Sequence, residues 1–539
     1  MTGLLGECLR FARLCVLIAA GLCLVNCSSK TDLSIFNTLH RGNGSEAETL
    51  DPQAARSEAA LTIARDLYEG LMSVDAAGQP VPAAAERYEV SAEGGVYTFH
   101  LRPSLRWSNG DALTAPDFVT AWRRLVNPAT AAPYAQMLAV VRNAAAIEAG
   151  AAPIESLGVR AVDASTLVVE LQQPTPYFLS LLTHPGTFPL HRATLAAHGN
   201  RFARPGIMIS NGAYVVERWD FGSKILAVRN RQYWNDTQTH IDRVEYHSIA
   251  QAAAELGAYR ADALDCTSTL SMPQMDWIRT HLAAELHVSP QLAVYYYGMN
   301  LRAAPFAGAR PLRQALSMVI DRQQLVQSLT GLGELPAYGF VPPQAQGYVA
   351  QLPEWAGWPM QRRIERAREL LREAGASLPR RIELRYNSGE LHTRIAVAVA
   401  SMWKEALGID TDLRGEEFKV LLQDIERGKD LQAFRASWVA DYNDAYNFLQ
   451  LLRTGFGINL PRYSNPRFDA ALDLANAQID SAQRAAQLQA AERLMLEDQP
   501  VIPLYFYVNK HLVKPRVHGW HDNVLNIIYS KDLTLKAAG

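Results

Sequence analysis

Ser437-Trp438-Val439-Ala440-Asp441-Tyr442-Asn443 sets two aromatic rings and an amide around one carboxylate, and a second acid, Asp444, follows directly. Paired carboxylates can do acid–base work, but that work needs a partner His or a metal ligand within reach. The neighbouring sequence offers neither, so a helix cap or a charge partner suits these acids better than catalysis. Arg435 stands six positions before Asp441. On its residues alone this stretch gives no sign of catalysis.

The rest of the chain agrees. It has no His-Glu-x-x-His, no Gly-x-Ser-x-Gly elbow and no phosphate-cradling loop ending in Lys-Ser/Thr. The 13 His are scattered; His518 and His521 lie three apart, with no Cys near them to complete a metal site. Neither a cofactor nor a metal is expected, and turnover is not. With 52 Lys+Arg against 54 Asp+Glu the formal charge is −2, which argues against nucleic acid as the main partner. The 539 residues, 48 % hydrophobic and 20 % charged, exceed one hydrophobic core and suggest about three or four globular domains. No internal repeat and no Pro/Ser-rich linker divides them, so the chain is expected to cross between domains more than once. Crossing strands make hinges, and hinges make clefts.

The N-terminus differs. Arg10 and Arg13 precede the apolar run Leu14 to Val25, too short to span a bilayer but suited to a signal peptide, and Leu24-Val25-Asn26-Cys27 follows. This resembles a lipobox, although Asn26 replaces the usual small residue; lipidation of Cys27 and a tether over 27–33 are implied, with an uncleaved hydrophobic anchor as the alternative. Cys8, Cys15 and Cys23 lie in the removable segment, so Cys266 alone remains and no internal disulfide can form. Cys266 reads as a buried small hydrophobe. Removing residues 1–26 changes the charge to 50 minus 53, or −3.

Hydrophobic periodicity predicts helices over 59–71, 311–329, 361–374, 391–407 and 467–497, the first ended by Gly70. Alternation predicts strands at 96–101, 167–171, 213–216, 225–229 and 294–297. Thr114-Ala115-Pro116-Asp117 reads as a helix start.

Several stretches then resemble one family. They are Gly44-Ser45-Glu46 to Leu50-Asp51-Pro52, Arg65-Asp66-Leu67-Tyr68-Glu69-Gly70-Leu71, Trp107-Ser108-Asn109-Gly110, Asn211-Gly212-Ala213-Tyr214, Leu335-Pro336-Ala337-Tyr338, Trp438-Val439-Ala440-Asp441-Tyr442-Asn443 and Tyr505-Phe506-Tyr507-Val508-Asn509. In this order they resemble the oligopeptide-binding proteins of bacterial peptide importers, in solute-binding family 5. The resemblance implies an α/β periplasmic-binding-protein-like fold (type II, cluster C), two lobes plus an extra small α/β domain around a hinged cleft. Lobe I would be 34–70, 194–293 and 510–539; the extra domain 71–193; lobe III 294–509. It implies capture of short peptides, about three to five residues, for the permease subunits of an ABC transporter. The receptor would be monomeric and periplasmic, or at the outer face of the cell membrane.

The resemblance also implies roles. Asp441 would take the peptide ammonium; Arg435, His392 and Arg427 would meet its carboxylate, Arg because its planar fork suits one. Arg56, Ser57 and Glu58, with Ser437, Trp438 and Val439, would pair with the ligand backbone. Asn387, Tyr134, Tyr296 and Phe418 would complete the pocket. Four positions depart from relatives: Glu426 stands where an Arg is common, Thr330 replaces a Lys used for longer ligands, and Ala293 with Val439 replaces a disulfide that relatives can carry. Fewer cations imply a narrower length window, three or four residues. A murein-peptide receptor on the same fold is the nearest alternative. An exported peptidase or cell-wall hydrolase, and an envelope chaperone or signalling receptor, come from other classes.

Overall fold

The computed structural model describes residues 37–270, 272–375, 379–428 and 431–536; the signal segment, Cys27 and the tether lie outside the described residues. The chain opens with β1 (Thr38–Gly42), then enters a small antiparallel sheet of β2 (Ala85–Val90), β3 (Val96–Leu101), β4 (Val159–Ala161) and β5 (Thr166–Glu170), ordered β2-β3-β5-β4. It returns as β6 (Tyr214–Asp220), β7 (Lys224–Arg229) and β8 (Arg243–His247), which join β1 in the order β1-β8-β7-β6. It then builds a six-stranded sheet from β9 (Leu286–Met299), β10 (Leu335–Pro336), β11 (Arg381–Asn387), β12 (Asp410–Glu416), β13 (Ala433–Val439) and β14 (Val501–Leu512). The order there is β10-β14-β9-β13-β11-β12, with β11 parallel to both its neighbours. The last segment comes back to the first sheet: Cys266 bridges both Arg41 and Val513, and Arg41 donates to Ser530 at 2.8 Å.

The six-stranded sheet is buried on both faces because its long strands alternate between two cores. Val294 and Tyr296 of β9 face the larger core, with Phe434 and Phe506; Tyr295, Tyr297 and Met299 face a second, with Leu384 and Leu504. β9 and β14 are longer than this sheet needs. Their far ends, Leu286 to Pro290 against Val508 to Leu512, run on towards a third cluster around Leu256 and Tyr259. The register slips between Pro290 and Val294, where the two halves of each strand meet. A bulge there lets the strands bend between packed bodies.

Local chemistry explains where elements start and stop. The helix Ala115–Val126 begins as expected, with Thr114 donating from its backbone N–H and hydroxyl to Asp117 at 2.8 and 3.0 Å. Two predicted helices are each divided. The stretch 311–329 becomes Arg310–Met318 and Arg322–Leu325 followed by a π turn, and 467–497 becomes Pro466–Ala477 and Ser481–Asp498. Both breaks have one cause: Asp321 caps Gln324 N–H (3.0 Å) and Asp480 caps Gln483 N–H (2.8 Å). The helix predicted over 59–71 stops at Leu67, where Tyr68 turns extended. Gly70 does not end it; a Cβ there would lie 2.5 Å from the Phe188 ring. Likewise a Cβ on Gly212 would strike the Leu67 carbonyl carbon at 2.5 Å, and Asn211 exchanges hydrogen bonds with the backbone of Glu69 (3.2 and 2.8 Å). These two sequence motifs hold each other and position the helix that carries Glu58 and Arg65. Cys266 is buried and its thiol is pushed up to about 12 by burial, as suits a small hydrophobe. No helix among the described residues is long and apolar enough to cross a membrane.

Candidate ligand-binding site

β13 is paired along its whole length on one edge only. On the β9 side every residue has a partner, from Ala433 opposite Met299 to Val439 opposite Ala293. On the other side, among the described residues, β11 pairs only at Ala433 and Phe434, and the strands then splay apart. Arg435 to Val439 is left as an open edge inside the molecule. Such an edge carries unused backbone donors and acceptors, a template for an added strand.

A cation marks one end of that edge. Arg435 is buried; it donates to Asn387 Oδ1 (3.2 Å) and to the Tyr507 hydroxyl (2.9 Å), and its guanidinium lies 4.6 Å from the Tyr295 ring centre. Its Nε has no hydrogen-bond partner, and no described carboxylate pairs with it. His392 joins the group through a 3.3 Å contact with the Tyr295 hydroxyl. Burial, and then the nearby Arg435 charge, push that imidazole down to about 4, so it is neutral at ordinary pH. A buried guanidinium without an anion is costly.

A carboxylate marks the other end. Asp441 is part-buried just beyond β13 and forms no ion pair among the described residues. Burial pushes its carboxyl up to about 7, a rise that Arg65 and Asn447 partly offset and Glu58 increases. Asn447 is itself fixed, its Oδ1 accepting the Trp438 indole N–H at 2.7 Å. Its neighbour Asp444 contrasts sharply: both its oxygens take Arg484 (2.7 and 2.9 Å), and it caps Tyr446 N–H at 2.8 Å. Of the two acids, only Asp444 is the cap and charge partner that the sequence suggests. Asp441 and Trp438 line a cavity of about 380 Å³ with Tyr177, Tyr442 and Arg453.

The remaining expected residues are placed unevenly. Tyr134 belongs to the acid end: burial and then Asp441 and Glu58 push its hydroxyl up to about 12, and its ring lies 4.2 Å from that of His184. Glu58 pairs with Arg65 at 3.2 Å, beside Asp441. Arg56 and Ser57 are not in a strand; their backbone N–H groups donate to Glu48, and Ser57 caps the helix Glu58–Leu67. Tyr296 is buried edge-on against Phe340 in the core. Phe418 is half-exposed at the start of the helix Phe418–Arg427, and Arg427 is exposed at its end, sharing none of the bonds around Arg435. Ala293 and Val439 stand directly opposite across β9 and β13, where a bridge would have to form. A second cavity of about 560 Å³ is lined by Thr330, Arg279 and Arg394, and by Leu391, the sequence neighbour of His392. Sequence reasoning assigns no role to Tyr295, Arg65, Asn447, Arg279 or Arg394. Only Asn447, in the helical turn after the Trp-x-Ala-Asp run, carries a local signal.

Comparisons with known proteins bear on the family and the fold. The family description "Bacterial extracellular solute-binding proteins, family 5 Middle" matches residues 79–459. The periplasmic oligopeptide-binding protein OppA of Escherichia coli K12 is 39% identical over 489 residues, 90% of this chain and 89% of OppA. A probable deoxycholate-binding periplasmic protein of the same organism, YgiS, is also 39% identical, over 96% of this chain and 97% of its own. The solved structure of the Escherichia coli murein tripeptide binding protein MppA superposes with a TM-score of 0.81 at 34% identity, covering 92% of this chain and 98% of that one. Members of this family are binding receptors with a two-lobed periplasmic-binding fold. The chain belongs to the bacterial extracellular solute-binding proteins, family 5.

Proposed function

We propose that this protein captures short peptides in the periplasm and delivers them to the permease subunits of an ABC importer, without chemical turnover. One observation carries the reading: an open strand edge runs between a buried, unpaired guanidinium and an unpaired carboxylate. Those three features match what all peptides share, a carboxylate, backbone amides and an ammonium. The ligand would lie against Arg435 to Val439 as an added strand, its ammonium on Asp441 and its carboxylate on Arg435, with His392 and Asn387 beside it. That polarity makes it antiparallel to β13. Five edge residues span about 16 Å, the length of a peptide of three to five residues. The 560 Å³ cavity with Arg279 and Arg394 gives a longer ligand cations that Thr330 does not supply, which widens the window beyond three or four residues. The cavity beside Trp438 holds a side chain with room for water, so sequence is read loosely.

Residues 34–70, 194–293 and 510–539 would form one lobe, 71–193 the extra domain and 294–509 the opposing lobe, closing about the slip in β9 and β14. Lipidation at Cys27 would tether a monomeric receptor to the membrane.

Native mass spectrometry of the protein, before and after mild denaturation, tests the ligand class. A spread of tri- to pentapeptide adducts supports a general peptide receptor, and one dominant muropeptide adduct moves the reading to cell-wall recycling. An empty protein that tri- to pentapeptides do not stabilise, but deoxycholate does, overturns it.

A further inference from the structure

Away from the cleft, three side chains converge on the less buried face of the sheet β1-β8-β7-β6. His40 comes from β1; Glu245 and His247, two apart on β8, share that face. His40 Nδ1 lies 3.2 Å from Glu245 Oε2, His247 Nε2 lies 3.3 Å from the same oxygen, and the two nitrogens are 3.4 Å apart. The three donor atoms form a nearly equilateral triangle.

That triangle is wide for hydrogen bonding, since charge-assisted N–H···O bonds run at about 2.7–2.9 Å. It matches a metal closely. A tetrahedral centre with bonds of about 2.0–2.1 Å has ligand–ligand edges of about 3.3–3.4 Å. The rings are tilted by 45° with centroids 5.6 Å apart, so their nitrogens converge without stacking. Two imidazoles and one carboxylate suit zinc, and all three residues remain part-exposed, which leaves a fourth position to water.

We propose that His40, Glu245 and His247 form a site for a divalent transition metal, zinc above all, that fastens the edge strand β1 to β8. Lys224 sets its strength. Its ammonium lies 2.8 Å from both Glu245 oxygens, so it orients the carboxylate but also competes for the oxygen a metal would use. The site joins residues 207 positions apart, and so stiffens a long-range contact of the first sheet.

The test uses the full chain without an affinity tag. Calorimetry with zinc is expected to show one zinc per chain at micromolar affinity or tighter, with a raised melting temperature that a chelator reverses. Cobalt(II) in its place is expected to give the intense visible absorption of a tetrahedral centre. His40→Gln and His247→Gln are each expected to weaken zinc binding by about 100-fold or more, with the metal-free melting temperature and peptide binding unchanged. Lys224→Met is expected to tighten it. If one His variant fails to fold, the other and Glu245→Gln give the same reading. Absence of zinc binding at tens of micromolar, or zinc binding undiminished in His40→Gln and His247→Gln, overturns the site.

Discussion

The two ends of the open edge of β13 carry ionisable side chains of opposite sign with no ion pair among the described residues, and they hold them by opposite means. At Arg435 the charge is permanent, because no pH near neutrality removes it, and aromatic rings with hydroxyl and amide acceptors make its burial tolerable. At Asp441 the charge is provisional: burial pushes its carboxyl up to about 7, far above the usual carboxylate range, so the unliganded group gains and loses its proton near neutral pH. On the proposed function, one end is pre-charged and the other would become fully charged when a ligand ammonium arrives. Ligand recognition should therefore depend on pH at one end only.

The sharpest way to break this comparison is Asp441→Asn. With no second carboxylate paired to the ligand ammonium, tripeptide affinity measured by calorimetry is expected to fall about 100- to 1,000-fold, the cost of a buried charge left unpaired. Retention of affinity within about threefold would move the ammonium elsewhere. The next largest effect is the pH dependence of the unchanged protein. A protonated Asp441 cannot take an ammonium, so affinity is lost as pH falls through 7, by up to about 100-fold at pH 5. His392, held down at about 4, does not titrate in that window, and the Asp441→Asn profile should be flat.

Arg435→Met is expected to weaken binding about 10- to 100-fold, less than Asp441→Asn because Asn387, Tyr507 and His392 still offer hydrogen bonds. Peptides amidated at the C-terminus should lose most of the difference between Arg435→Met and the parent. A smaller effect concerns the empty protein. Between about pH 4 and 7 the folded state holds a proton on Asp441 that the unfolded chain releases, so this residue costs stability as pH rises. Asp441→Asn should therefore be more stable than the parent at pH 8 and equal to it at pH 4, read by denaturant unfolding. Smallest of all is Arg427→Ala, exposed at a helix end, for which a change in affinity below about twofold is expected.

Much of the molecule was legible in local sequence. The strand Val96–Leu101 and the helix Glu390–Leu407 follow from alternation and periodicity, because one face of each must be buried whatever its neighbours are. The divided helices at Asp321 and Asp480 were missed because apolar periodicity continues across both breaks while one cap decides the geometry. Gly70 reads as a helix end and Gly212 only as part of a family motif, yet each is required by an atom far away in sequence.

The same division holds for function. Local sequence set out the chemistry available: two acids among aromatics, an Arg six positions before the first, and the motifs that mark family 5. Only the tertiary structure decided which of two adjacent acids stays unpaired, since Arg484 neutralises Asp444 from a distant helix. It also decided that β11 splays from β13 after Phe434, and that His40 meets His247 across the first sheet. These outcomes depend on long-range contacts, and a charge or a strand edge is free or spent only relative to what the fold brings beside it.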